Sequence, residues 1–185
     1  MYNGKLVRLR RLESADALTI LTHWNNYQLR QYLPSPLPTS HDEMVGYIET
    51  ANESFGKRTA FTFGIETLEG DRLVGLISFT NISWISSNAE VGVLAIFDPQ
   101  HWSHGYGKDA MIVALDFVFS TLGLNSVYLW VASFNERAIS FYERLGFSVQ
   151  GKLRELAYRN GKRYDVITMD ILKSEFLKKH GILPK

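Results

Sequence analysis

"HWSHGYGKDA", residues 101–110, sets Gly105 and Gly107 one residue apart between two segments of different character. Before it runs "EVGVLAIF" (90–97), a short apolar run that reads as a strand. After it comes "MIVALDFVFSTLGL" (111–124), with Met111, Ala114, Leu115, Val118 and Leu122 at helical spacing and Gly123 as a C-terminal cap. Bare backbone where a strand hands over to a helix suits an anion. The first N–H groups of a helix have no internal acceptor, and the positive end of the dipole lies there. The plain alternative is a glycine-rich turn that binds nothing.

Two phosphate-binding motifs fail on these residues. A P-loop needs a glycine five residues before Gly-Lys-Ser/Thr; here Trp102 stands in the first position and Asp109 in the last. "GYGKDA" matches the dinucleotide fingerprint literally, but "DPQHWSH" (98–104) lengthens the strand-to-helix turn. The next strand also ends at Ser133 and Asn135 without the acid that would hold a ribose. A third reading fits: a loop whose amides, with the following helix N-terminus, hold a pyrophosphate.

Outward from this stretch, the chain reads as a mixed α/β single domain spanning 1–185. "KLVRLRRL" (5–12) alternates as a strand, and Leu18, Leu21, Trp24 and Leu29 recur at helical spacing. "PSPLP" (34–38) stops any helix, and Ser40 with Glu43 forms a capping box opening another, with Met44, Tyr47, Ile48 and Ala51 on one face. "TAFTFGIE" and "LVGLISFTNIS" flank a Glu69-Gly70-Asp71 turn, and Asn160-Gly161 signals a late hairpin. The C-terminal "LKKHGILPK" (177–185) reads as a solvated end.

Composition narrows the function. A net charge of +1 over 185 residues gives no sign of a nucleic-acid or anionic-membrane surface. The absence of cysteine excludes disulfides, thiolate catalysis and Cys-bound metal. His23, His41, His101, His104 and His180 have no metal-ligand spacing and read as solvated or satisfied side chains. No run suits a signal peptide or a membrane span, so a cytoplasmic protein is the expectation.

A second motif, "NERAISFYERLGF" (135–147), follows the next β-rich run, "SVYLWVAS". Asn135 caps a helix that Gly146 ends. Asn135 and Tyr142 lie two helical turns apart and share a face. Together "HGYGKDA" and "NERAISFYERLGF" resemble the GNAT superfamily of N-acetyltransferases, in the branch containing spermidine N-acetyltransferases and ribosomal-protein N-terminal acetyltransferases. The resemblance covers roughly 90–172; residues 1–85 fit in element order only.

The resemblance implies an α/β GNAT fold, a mixed, mostly antiparallel central sheet with helices on both faces. Its acceptor-side half is 1–85 and its acetyl-CoA-binding half 86–175. It implies acetyl-CoA as cosubstrate and direct transfer to a primary amine: a polyamine, another small amine or a peptide N-terminus. Homo-oligomerisation stays open. Cofactor contacts would come from Leu94, Ala95, Ile96, Ser103, His104, Gly105, Tyr106, Gly107, Lys108, Asn135, Ala138 and Tyr142. A backbone N–H within Val93–Ile96 would hold the thioester oxygen. Tyr142 is either the acid that protonates the CoA thiolate or a packing aromatic; Glu90 is either a general base or an outward-facing strand carboxylate. Trp24, Tyr27, Tyr32 and Trp84 are core aromatics or acceptor-cleft walls. One departure stands out: the family carries Arg or Gln three residues before its first loop glycine, and this chain has Trp102. Other readings of the chain are a non-catalytic CoA-binding domain and a dinucleotide binder.

Overall fold

Period-two apolar runs become strands and period-3.6 runs become helices, in the order the sequence suggests with additions at the N-terminus, between the first two helices and at the C-terminus. The computed structural model describes residues 2–33 and 35–181. A hairpin of β1 (Tyr2–Asn3) and β2 (Val7–Arg10) precedes helices α1 (Asp16–Trp24), α2 (Tyr27–Arg30) and α3 (His41–Lys57). Strands β3 (Phe61–Thr67), β4 (Leu73–Ser83) and β5 (Asn88–Ile96) follow. A 3-10 turn at Pro99–His101 leads into α4 (Tyr106–Asp116). Then come β6 (Ser126–Ala132), α5 (Glu136–Leu145), β7 (Ser148–Arg159), β8 (Lys162–Leu172) and α6 (Lys173–His180).

Among the described residues, eight strands form one sheet in the order β1-β2-β3-β4-β5-β6-β8-β7. All neighbours pair antiparallel except β5 and β6, which run parallel. Alternation along β4 splits its side chains between two cores. Leu76 joins Ala95 and Phe97 under α1–α3, while Ile77 and Phe79 join Met111, Ala114 and Val118 of the α4 segment.

Three local departures matter. The α1 and α2 segments do not form one continuous helix: Asn26 caps α2 by accepting from Gln28 N–H, and Asn25 bonds Thr39 through both its amide groups. α1 buries Ala17 and Ile20 and leaves Leu18 67% exposed, so the expected apolar face is rotated. Beyond β8 the chain is not a solvated end. α6 buries Phe176 against Phe119, and His180 Nε2 lies 2.9 Å from the Leu145 carbonyl. Residues 182–185 lie outside the described residues, as does Pro34 of the 34–38 proline segment.

The rotation of α1 has an electrostatic cause. Arg10 grips Asp16 with two hydrogen bonds of 2.8 Å each and also donates to Glu66, which Arg8 bonds from the other side. Burial alone would lift both carboxyls. The guanidinium bonds outweigh it, helped at Asp16 by the Glu13 N–H, and both carboxyls end below their ordinary range. Their stabilising contribution is therefore present above about pH 4 and fades as pH falls through the lowered values. Arg10→Ala leaves two nearly buried carboxylates short of a partner and should cost about 3–5 kcal/mol near pH 7. The cost should shrink as pH falls below about 4 and through the lowered values at which both acids protonate. Denaturant melts at the two pH values measure it.

Candidate active site

The site begins where β5 and β6 stop pairing. Their parallel bonds join Asn88–Glu90 to Ser126–Tyr128 and go no further. The register of β4 against β5 slips so that Ser78 faces Val93 and Phe79 faces Val91, which leaves Gly92 as the bulged residue. A Cβ on Gly92 would stand 2.9 Å from Ser78 Oγ and 3.0 Å from the Thr80 side chain, so a larger residue at the bulge would have to push those side chains aside. From here β5 bends away from β6 and its outer edge is unpaired. Phe97 N–H bonds Val74 O on the β4 side, while the Ile96 carbonyl points the other way. By the same alternation the amides of Leu94 and Ile96 face the gap.

Two cavities meet at this gap. The first, about 330 Å³, is lined by Leu94–Ile96, residues 101–103 and 105–108, and one face of α5. The second, about 430 Å³, lies between β5 and β6 under the turn that follows α2. Asn135, Ala138 and Tyr142 border both, so the α5 face separates one chamber from the other.

The first cavity is built for an anion. Gly105 is the N-cap of α4 at φ 89°, in the left-handed region where a side chain is strained. Asp109 N–H makes the first helical bond, to Gly105 O, which leaves the amides of Tyr106, Gly107 and Lys108 without helical acceptors. The one acid of this turn faces elsewhere: Asp109 Oδ2 accepts from Leu6 N–H at 2.7 Å and Val7 N–H at 3.0 Å. Lys108, Arg137 and Arg144 bring three cations to the lining.

Trp102 is explained by what covers it. Its indole N–H donates to the Ile96 carbonyl at 2.8 Å, and the Arg137 guanidinium lies 4.4 Å above its ring. A guanidinium thus stands over the loop although residue 102 carries none; it is delivered from α5 and held by a cation–π contact.

Tyr142 projects between Phe141 and Phe147, with ring centroids 5.2 and 5.5 Å away. Its phenol is reached through the cavities but is otherwise crowded by protein, and burial pushes its pKa up to about 12. Asn135 accepts from Ala138 N–H at 3.2 Å, the cap expected from the sequence. Glu90 borders the second cavity, where Asn81 donates to its Oε2 at 2.7 Å. Tyr128 stands opposite it on β6. Burial, then the charge of Glu90 and their hydrogen bond, raise the Tyr128 phenol.

Of the candidate residues, Leu94–Ile96, Ser103, Gly105–Lys108, Asn135, Ala138 and Tyr142 gather around the first cavity. His104 does not; it turns its Nδ1 to the Trp102 carbonyl and stacks on Tyr106. His101 departs from the satisfied state expected for it, since its Nδ1 is buried without a hydrogen-bond partner. Tyr32 lines both cavities. Trp24 packs on Phe97, Tyr27 bonds Asn160, and Trp84 bonds the Arg58 carbonyl. Arg137 and Phe134 were missed. Arg137 sits two residues past the cap in "NERA", where the motif itself was the signal; Phe134 lies just before that cap.

A parted sheet with a cation-lined helix N-terminus on one side and a carboxylate-bearing chamber on the other defines an acyltransferase of the acyl-CoA type. Residues 7–148 match the acetyltransferase (GNAT) domain, and the chain belongs to that family. It is 32% identical to the spermidine N(1)-acetyltransferase of Vibrio cholerae over 92% of this chain and 95% of that one. It is 28% identical to the Escherichia coli spermidine N(1)-acetyltransferase, covering 97% and 93%. The crystal structure of the Vibrio cholerae spermidine N-acetyltransferase in complex with CoA and spermine superposes with a TM-score of 0.81, over 92% of this chain and 98% of that one.

Arg137→Ala removes the guanidinium over the loop and should weaken acetyl-CoA binding roughly tenfold, about 1.4 kcal/mol. Trp102→Phe keeps a smaller aromatic face beneath Arg137 and loses the bond to Ile96, so its effect should be smaller. Isothermal titration of both variants checks the order.

Proposed function

We propose that the chain moves acetyl from acetyl-CoA directly onto an amine, with Tyr142 as the proton donor to the departing thiolate and Glu90 on the side where the amine enters. The meeting of two chambers at the unpaired edge of β5 carries this reading. One chamber suits a pyrophosphate-bearing donor and the other a cationic acceptor. Only the residues around the shared wall touch both.

Each side chain then has a defined task. The free amides of Tyr106–Lys108 and the cations Lys108, Arg137 and Arg144 hold the phosphates. The gap-facing amides of Leu94 and Ile96 are aimed where the thioester oxygen becomes negative. Glu90, fixed by Asn81 and Tyr128, attracts the ammonium and takes up its proton. That step matters, because a primary amine with a pKa of about 10.4 costs roughly 4–5 kcal/mol to deprotonate at pH 7.

A phenol at about 12 looks too weak an acid for a thiolate whose ordinary pKa is about 8.5. The same desolvation acts on both anions, however. A thiolate leaving beside the buried phenol is also raised, and transfer from Tyr142 is brought closer to balance. The raised value has a second use, since it keeps the proton on Tyr142 at every pH where the amine reacts.

Tyr142→Phe keeps the ring and removes only the proton; turnover should fall roughly 10²-fold with little change in the acetyl-CoA dissociation constant. A wild-type rate would reduce Tyr142 to packing. With the native chain, kcat/KM should rise with pH as the amine is freed. No falling limb from Tyr142 should appear below about pH 10, because the phenol remains neutral until near 12. Gly107→Val tests the loop more cleanly than a change at Gly105. A Cβ at Gly107 meets only Ile96 at 3.6 Å and its φ is ordinary, whereas Gly105 would be strained whatever it binds. Acetyl-CoA affinity should drop at least about tenfold in a protein that melts normally. Unchanged affinity would leave the glycines to the turn alone.

A further inference from the structure

We propose that the acceptor carries a single cationic nitrogen on an apolar body and that the cleft selects against polyamines; this rests on the amine-acetylating reading above. Among the described residues that line the acceptor chamber, Glu90 is the only carboxylate and Arg159 the only cation. Most of the remaining wall is aliphatic or aromatic, with Tyr32, Trp130, Phe134 and Tyr158 supplying its broad surfaces.

One carboxylate balances one ammonium. Each further ammonium of a polyamine would give up its water and meet no second acid. Aromatic faces can hold cations, but here several are engaged. Tyr32 stacks on Phe134 with centroids 6.1 Å apart, and the Arg163 guanidinium lies 5.8 Å from the Tyr158 ring centre. Two further acids, Glu155 and Asp165, border an adjoining hollow that shares Leu156 with the chamber, not the chamber itself; there Asp165 is held by Lys152 at 2.9 Å and by Glu155 N–H at 2.9 Å.

The Arg159 end of the chamber is also tied to the α2 segment. Arg159 donates to the Leu33 carbonyl at 2.8 Å, and Tyr27 OH to Asn160 at 2.7 Å, so the β7–β8 turn is fastened to the α2 segment. The site therefore suits a compact alkyl or arylalkyl amine whose charge rests on Glu90 and whose body covers the aromatic wall.

The test compares acceptors that differ by one charge: n-pentylamine against 1,5-diaminopentane, with phenethylamine and spermidine alongside, using the full chain and acetyl-CoA near neutral pH. The kcat/KM of each monoamine should exceed that of the diamine and of spermidine by roughly tenfold or more. Leu156→Glu adds a second carboxylate at an exposed position of the same wall, where Leu156 is 59% accessible, and should narrow that gap severalfold. Spermidine or the diamine matching the monoamines in the native chain would overturn the proposal while leaving the acetyl-transfer reading intact. An unchanged gap in Leu156→Glu would overturn its charge argument. No turnover with any amine, in protein that still binds acetyl-CoA, would overturn both readings.

Discussion

The parallel pairing of β5 and β6 lasts for three residues, and the site depends on its ending there. A backbone edge inside a protein cannot stay without hydrogen-bond partners at no cost. The unpaired edge of β5 is tolerable because it opens on cavities, where water or a substrate can meet its amides. β4 holds the opposite edge firmly; a Cβ on Gly75 would lie 2.3 Å from the Ala95 carbonyl, so the two strands approach as closely as glycine allows. One edge is rigid and the other vacant, and the vacancy is thereby kept in a fixed place.

The helices that follow these two strands extend the same logic. α4 begins beyond the end of β5 and α5 beyond the end of β6, and the starts of both border the first cavity. The cations are concentrated there, while the acceptor chamber carries one charge of each sign. On the proposed reading, this division lets an acetyl-CoA-dependent N-acetyltransferase take an anionic donor and a cationic acceptor through separate doors, with the chemistry at the wall both share.

Features set by neighbours in sequence were legible. The glycine pair, the Ser40–Glu43 box, the Asn135 cap, the Gly146 stop and the Asn160-Gly161 turn each work through local backbone geometry, and each stands where its residues indicate. What escaped depends on distant partners. Gly92 looks like any glycine in a strand until Ser78 is placed against it. Arg137 on Trp102 requires knowing that α5 lies over the loop. α1 faces inward through Ala17 and Ile20 because Arg10 and Glu66 orient Asp16, and no apolar period encodes an ion pair. α6 escaped because Phe176 had no visible partner until Phe119 was brought beside it. In β7, two extra residues between Leu153 and Ala157 turn Leu156 toward the acceptor chamber, which alternation alone would not indicate.

The bond from Asp109 to the amides of Leu6 and Val7 joins residues 103 and 102 positions apart. On a ribosome, the first hairpin is made long before the carboxylate that anchors it leaves the exit tunnel. Contacts this distant form slowly, because a long loop must close before they give anything back. The opening strands can pair with each other and with β3 earlier, but the bonds that fasten them to the start of α4 come only once Asp109 is available. Closing this anchor thus ties the first strands of the sheet to the start of the fourth helix.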